Sequence, residues 1–335
     1  MTPRVVRENN RDLPSTMQIL TFNHHESYLT SLAKTGFTFD VVTKRGSLDL
    51  SWNVRSRPVP ENFRVVEFDD AIKKRLRSGV YDVVICHTIK NLIWMWFYFK
   101  PRYVFVAHIP LFRHSPVAMV KSSFKKLIWM IFKATHDASF FAVSHFKQQS
   151  WNEKGECAVL APGDFPALEI SDDPSNVLIV CNNLAERGEE LGLAMIKRLQ
   201  KHAPIYCVGN NPNIDFNIKP RNFAHFQELL SRFRIYLYTI RMPQGDGYNT
   251  AMLEAMKMGM AVVTVENPTS PIVHGVNGLV GRNEQELLDR IHQLRREPGF
   301  ARRLGEAAKE TVKARFSEEA FVNTWRRVIQ ANDAF

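Results

Sequence analysis

Asp246 and Glu254 stand with seven residues between them in the stretch DGYNTAMLEAMKMGMAVVTVENPTSPIVHGVNGLV, residues 246–280. Asn249, after a Gly247 turn, is a good helix N-cap and Gly259 a natural stop, so this spacing predicts a short helix. Met252, Leu253 and Met256 form its apolar face. Glu254 lies roughly 200° from Met252 at helical spacing and need not join that core. Asp246, in the preceding loop, can then face the same cleft as Glu254. Backbone N–H groups at Asn249, Thr250 and Ala251 would stand at the helix N-terminus, a place suited to phosphate oxygens. The strand Ala261–Val265 and the turn Asn267-Pro268-Thr269-Ser270-Pro271 bring further polar atoms, Ser270 among them, to the same rim. Phosphate donors beside two carboxylates that can hold hydroxyls suit a nucleotide-sugar.

Other groups with chemistry lie at the ends of apolar runs. His87 closes YDVVICH, His108 closes RYVFVAH, and Arg187 follows the run VLIVCNN in CNNLAERG. A histidine after a strand is either a satisfied core group or a cleft group, and geometry must decide between them. His24 and His25, in TFNHHESY, are adjacent, which is a poor spacing for two metal ligands. They read either as lining an acceptor side or as ordinary loop residues before a helix. The cysteines 86, 157, 181 and 207 are scattered, with no CxxC. That pattern fits free thiols in a reducing compartment and argues against a disulfide framework or a zinc site.

Positioning these groups requires two layered halves. The chain has 335 residues, more than one core usually serves. Runs MQILTF, FDVVT, FRVVEF, YDVVICH, RYVFVAH and SFFAVS, then NVLIVCN, PIYCVG, FRIYLYT, AVVTVE and GLVG, alternate with helical patterns such as Leu191, Met195, Ile196 and Leu199. This alternation predicts an α/β protein with two Rossmann-like domains whose parallel sheets face across a cleft. Ligands of such sheets bind at the carboxyl ends of the strands. Neither half carries GxGxxG, which disfavours a dinucleotide dehydrogenase. The expected organisation is a flexible lead-in (1–16), a first domain (17–168), a second domain (169–316) and a C-terminal helix (317–335) returning toward the first domain. Ser317 is a good N-cap for that helix.

The net charge of +10 comes without a nucleic-acid motif or a long Lys/Arg block, so nucleic acid is not expected as a partner. The polar first residues do not read as a signal peptide. The longest apolar run, LIWMWFYF, is far short of a membrane span. Localisation is therefore expected to be cytoplasmic, with a peripheral place on the inner membrane face left open by one segment. PVAMVKSSFKKLIWMIFK (116–133) carries an apolar stripe at Val117, Val120, Phe124, Ile128 and Ile131, flanked by Lys121, Lys125 and Lys126. Such a helix could lie on an anionic membrane. The ordinary expectation is the favoured one: the stripe is buried and the lysines are solvated.

The segment DGYNTAMLEAMKMGMAVV followed by HGVNGLV resembles the retaining GT-B glycosyltransferases of family 4, whose frame is EGFGxxxLEAMxxGxPVV followed by DGxNGxLV. The resemblance implies a GT-B fold and metal-independent transfer of a sugar from a nucleoside diphosphate sugar to an acceptor hydroxyl, with no cofactor. Polysaccharide or glycolipid synthesis, and a carbohydrate or lipid-linked acceptor, are implied with it. Glu254 would bind the ribose hydroxyls, and Asp246, replacing the usual Glu, would hold the transferred sugar. Gly247, Tyr248, Asn249 and Thr250 would form the phosphate turn. Arg187 would take the place of the family's diphosphate-binding Lys, and Asn183 that of its Arg, without the charge. His108 would contact the sugar. The first loop departs from the family's Gly-Gly turn, so the acceptor side is a reading of His24, His25 and His87 from the residues and not from the resemblance. AVSHFKQQSW resembles a family stretch that fixes register rather than chemistry. A GT-B-like epimerase and a degenerate sugar-nucleotide binding protein are the rival readings.

Overall fold

The computed structural model describes residues 17–43, 52–111, 115–158, 160–163 and 168–331. The segment expected to be a lead-in, 1–16, lies outside the described residues.

Among the described residues the chain forms two parallel sheets. The first has seven strands in the order β3-β2-β1-β4-β5-β6-β7: β1 Gln18–Phe22, β2 Thr38–Thr43, β3 Phe63–Glu67, β4 Val83–Cys86, β5 Arg102–Ala107, β6 Ala138–Ala142 and β7 Glu156–Cys157. Its helices are α1 Glu26–Ala33, α2 Asp70–Ser78, α3 Ile89–Met95, α4 Pro116–Thr135 and α5 His145–Trp151. The second has six strands in the order β10-β9-β8-β11-β12-β13: β8 Val177–Val180, β9 Ile205–Val208, β10 Asn217–Ile218, β11 Ile235–Tyr238, β12 Ala261–Val265 and β13 Leu279–Gly281. Helices α6 Gly188–Leu191, α7 Leu193–Gln200, α8 Phe223–Ser231, α9 Thr250–Lys257, α10 Glu284–Arg296 and α11 Pro298–Arg315 accompany it, and α12 Glu318–Gln330 follows. The short β7 and β10 are additions to the strands expected from the sequence.

Central strands are buried on both faces, as continuous Val/Ile runs require in a parallel sheet. Along β4 the side chains alternate between two cores. Val83 and Ile85 join the core shared with the second sheet, while Val84 and Cys86 join the core on the outer face. Arg234 is buried and donates to the carbonyls of Ile170 and Ser171 and to Asp172. The polar segment after β7 is thereby fastened to the second sheet.

Two helical expectations need correction. The run Leu191 to Leu199 is broken into α6 and α7 by Gly192, which takes φ +72°. The apolar stripe of α4 is not its buried side. Val117, Val120, Phe124 and Ile131 are exposed and Ile128 is half-buried, whereas Ser122, Trp129 and Phe132 face the sheet. α4 carries apolar residues around most of its circumference, so periodicity finds two stripes without saying which one packs. The two large aromatic rings, Trp129 and Phe132, fill the space against Phe105 and Tyr103.

α12 lies on the first sheet's side. The Ser317 hydroxyl accepts from Ala320 N to start it. Trp325 Nε1 donates to Tyr28 OH at 3.1 Å, and its ring meets Phe141 at 4.4 Å. Arg102 donates to the carbonyls of Val328 and Ile329, near the helix end.

Candidate active site

α9 opens as its sequence requires. Asn249 Oδ1 accepts from Met252 N at 2.8 Å, and the helix stops before Gly259 at φ +85°. Met252, Leu253 and Met256 enter the core. Glu254 points to the first domain instead and is only 2% exposed. Its Oε1 accepts from Arg57 Nη2 in a buried ion pair. Arg57 also lies over the Phe223 ring, 4.7 Å from its centroid. Burial pushes the Glu254 carboxyl up, and the Arg57 charge pulls it partly back. Gly163 closes this corner: a Cβ there would lie 2.5 Å from Glu254 Oε1 and 2.9 Å from Arg57 Nη2.

Asp246, the second carboxylate, also turns to the first domain. Both of its oxygens lie 2.9 Å from Ser144 Oγ, and Lys147 Nζ donates to Oδ2 at 2.5 Å. Ser144 is the N-cap of α5, and Lys147 lies three residues on, in the first helical turn of the same face. Tyr238 OH donates to the Asp246 carbonyl. Gly247 is held by Thr269 Oγ1, which accepts its N–H at 2.7 Å. A side chain at Gly247 would run into the Ser270 backbone, with Cβ 2.5 Å from Ser270 N. The Ser270 hydroxyl accepts from Ile272 N and so stabilises its own turn. Tyr248 packs edge-on against Phe316.

Arg187 opens α6 and pairs with Glu190, with Nη2 to Oε1 at 2.5 Å. Its side chain is 42% exposed. Asn183 takes φ +56°, a left-handed conformation that Asn tolerates better than Arg does. Its carbonyl accepts from Arg187 N, and its own N–H donates to Asn210 O.

Four histidines gather at the carboxyl end of the first sheet. Thr21 Oγ1 is 2.9 Å from His87 Nε2, and His87 Nδ1 is 2.8 Å from His108 Nε2. The His24 ring lies 4.7 Å from His108 and 4.4 Å from His25. Tyr28 packs edge-on to His108 at 4.9 Å. His87 is buried, while His25 is exposed. Burial holds His87 and His108 well below the usual imidazole range, and the neighbouring histidines add to it. Burial, then the charge of His25, lowers His24 to about 3. These rings are neutral at pH 7. The Thr21 hydroxyl can give its proton to Ile85 O at 3.4 Å. It then receives the His87 Nε2 proton, and His87 Nδ1 receives that of His108 Nε2.

The structure thus turns both Asp246 and Glu254 onto residues of the first domain, each against its own basic partner, and gathers the four histidines at the carboxyl end of the first sheet. Ser144, Lys147 and Arg57 are site groups that sequence reading missed. The i, i+3 pairing of Ser144 and Lys147 was a usable signal; Arg57, in a loop, offered none.

Residues 175–297 match the family described as Glycosyl transferases group 1. No curated protein matches the chain. Among solved structures, HepE of Anabaena in complex with UDP-glucose aligns with a TM-score of 0.67 at 16% identity, covering 93% of this chain and 98% of HepE. Sucrose-phosphate synthase of Thermosynechococcus elongatus gives 0.66 at 12%, with the same coverage. A mutant of the S. aureus protein TarM, in complex with UDP, α-GlcNAc-glycerol and Fondaparinux, gives 0.59 at 15% over 76% of this chain. This chain spans only 56% of that TarM chain. The likeness establishes a two-sheet α/β architecture of the GT-B type.

Proposed function

We propose that this chain is a glycosyltransferase that moves a sugar, with retention and without a metal, from a nucleoside diphosphate sugar to an acceptor hydroxyl. The observation that carries this reading is the pair of buried carboxylates at the start of α9. Asp246 and Glu254 both leave the second domain's core and meet the first domain across the cleft.

In this reading Glu254 takes the ribose hydroxyls, and the start of α9 at Thr250 and Ala251 takes phosphate oxygens. The ribose and Arg57 compete for one carboxylate, so donor binding displaces Arg57. Asp246 holds the sugar, with His108 beside it as a neutral group for a hydroxyl. Negative charge on the departing diphosphate needs fixed positive partners. Arg187 supplies one. Lys147, brought from the first domain to Asp246, supplies the charge absent at Asn183. That cation reaches the site only while the two domains face each other, so closure and chemistry are coupled. His24, His25 and His87 lie on the acceptor side. The acceptor is a glycan or lipid-linked sugar of the kind used in polysaccharide or glycolipid synthesis. UDP-sugars are the first donors to test, since HepE and TarM have each been seen with UDP or UDP-glucose.

The test is thermal stabilisation by UDP, GDP, ADP and their sugars, with and without EDTA, on wild type and Glu254→Ala. Stabilisation by one nucleotide, unchanged by EDTA and lost in the variant, is the expected result. Release of the nucleoside diphosphate only when an acceptor is present, with the product's anomeric configuration read by NMR, completes it. No response to any nucleotide would overturn the reading.

A further inference from the structure

Two of the four cysteines meet at the carboxyl end of the second sheet. Cys207 lies within β9, and Cys181 is the first residue past β8, the neighbouring strand. Their Sγ atoms are 3.5 Å apart. The two positions differ in freedom. Cys207 is fully buried and fixed by the sheet, opposite Ile179 of β8 and Asn217 of β10, with its N–H donating to Phe216 O. Cys181 is half-buried and opens a turn whose next residues, Asn182 and Asn183, are exposed.

Their surroundings divide the roles. The hydrogen bond from Cys207 lowers the Cys181 thiol below the ordinary thiol range; burial works against this and the Arg187 charge works with it. The same bond, with burial, pushes Cys207 up. Burial pushes Cys86 up, and burial followed by the Asp246 charge pushes Cys157 up to about 11. The thiolate is the reactive form of cysteine. A partly exposed thiol of lowered pKa beside a second thiol is the arrangement that oxidants attack first.

A bond between these sulfurs would move the loop rather than the strand. Sulfurs 3.5 Å apart must come to about 2.05 Å to bond, and Cys207 is held in β9. Loop 181–187 hangs on the turn after β9. Cys181 N donates to Val208 O, Asn210 N to Asn182 Oδ1, and Leu184 N to Asn211 Oδ1 at 2.8 Å. The approach is so close that a Cβ at Gly209 would lie 1.9 Å from Cys181 O. Arg187 N donates to Asn183 O at 2.9 Å, so a pull at Cys181 reaches the arginine that opens α6.

We propose that Cys181 is a site of reversible oxidation by hydrogen peroxide, with Cys207 as the resolving thiol, and that their disulfide displaces loop 181–187. The Cys181 thiolate attacks one peroxide oxygen and the O–O bond breaks. The departing hydroxide takes up the proton that Cys181 gave up and leaves as water. The Cys207 sulfur then attacks the sulfur of the resulting sulfenic acid, whose S–O bond breaks. The second water leaves with the Cys207 proton. Two thiols are oxidised to one disulfide and the peroxide is reduced to two waters. Where thiols are kept reduced, such a bond is transient. Weaker donor binding in the oxidised form rests on the function proposed above, since Arg187 would leave the diphosphate. The bond and the loop displacement do not rest on it.

The experiment treats the whole protein with hydrogen peroxide, blocks the remaining thiols and maps the peptides by mass spectrometry. A Cys181–Cys207 cross-link that dithiothreitol removes is expected. Amide hydrogen exchange across 182–191 should quicken in the oxidised form and return on reduction. Nucleotide affinity should fall about tenfold or more, the worth of one charge-assisted hydrogen bond. Cys181→Ser, at a half-buried position, should keep its unfolding midpoint and show neither cross-link nor peroxide-dependent exchange. Cys207→Ser should stop at a sulfenic acid on Cys181. Peroxide that leaves both residues as free thiols overturns the proposal. A cross-link that leaves exchange across 182–191 unchanged does the same, as does quickened exchange that persists in Cys181→Ser. No nucleotide binding even in the reduced form counts against the donor reading alone, because the cross-link and the exchange still decide this proposal.

Discussion

The guanidinium of Arg57, on a loop of the first domain, is buried against the Glu254 carboxylate of the second. The Arg57 carbonyl is held by Trp52 Nε1 at 2.9 Å, which anchors the loop as it reaches across. An ion pair so placed spends much of its Coulombic gain on desolvation. The upward shift of Glu254, despite an adjacent cation, is the sign of that cost.

Arg57→Ala is therefore expected to act in two directions. Without the guanidinium, Glu254 is open to ribose, and the nucleotide binds several-fold more tightly by calorimetry. The unliganded protein, by contrast, unfolds at a lower temperature because a buried carboxylate has lost its partner. Weaker nucleotide binding in this variant would make Arg57 a donor contact rather than a competitor.

Acid should weaken the fold below neutrality. His24, His87 and His108 have depressed pKa values in the folded protein, so between those values and 6.5 the unfolded chain binds more protons. Their contribution is present above about pH 6.5 and lost as pH falls, by up to roughly 1.4 kcal/mol per pH unit for each ring held neutral. Glu254, raised in the folded state, works oppositely and gains on acidification. With His25, lowered to about 4, one carboxyl opposes four imidazoles, so the net slope follows the histidines. Unfolding midpoints from pH 7.5 to 5 should fall, and His87→Gln should flatten the fall.

Much of this architecture could be read from the chain, and the reasons are local. Runs such as VVIC and AVVTV are buried on both faces and leave no polar alternation to confuse a strand assignment. Asn249 and Gly259 bound α9 by their own backbone preferences. What could not be read depends on pairing across the cleft. Asp246 and Glu254 are visible as a spaced pair, but their partners Lys147 and Arg57 are far away in sequence; the Ser144–Lys147 spacing hints at the first, and nothing local marks the second. The α4 error has the same origin, since two apolar stripes compete and only the width and shape of the sheet choose between them.

Asp246→Glu tests whether this site is a worn version of a glutamate site or one refitted around aspartate. Ser144 and Lys147 already lie at 2.9 and 2.5 Å from the carboxylate, leaving no gap for another methylene. Added volume in a packed site usually costs about 1–3 kcal/mol. The variant is expected to melt lower and turn over more slowly than wild type. Higher turnover would show that the shorter side chain is a defect.

Lys147→Ala separates binding from chemistry. A cation that meets charge developing on the leaving diphosphate matters most in the transition state. Turnover should drop about a hundredfold, the magnitude seen when one such donor is removed, while nucleotide affinity changes only a few-fold. Lys147→Arg should recover part of the loss. Equal losses in affinity and turnover would make Lys147 a latch between domains and no more.

Trp325 connects the end of the chain to the histidine wall. It is fully buried, donates to Tyr28 OH, and Tyr28 packs edge-on against His108. Replacing a core tryptophan with alanine costs about 3–5 kcal/mol, so Trp325→Ala should lower the midpoint substantially. Trp325→Phe keeps most of the ring and removes the hydrogen bond to Tyr28. It should cost only about 1 kcal/mol, the net worth of such a bond. If α12 positions His108 through Tyr28, this milder variant still loses turnover while nucleotide binding in the second domain holds. If both stay unchanged, α12 stabilises the fold without shaping the site.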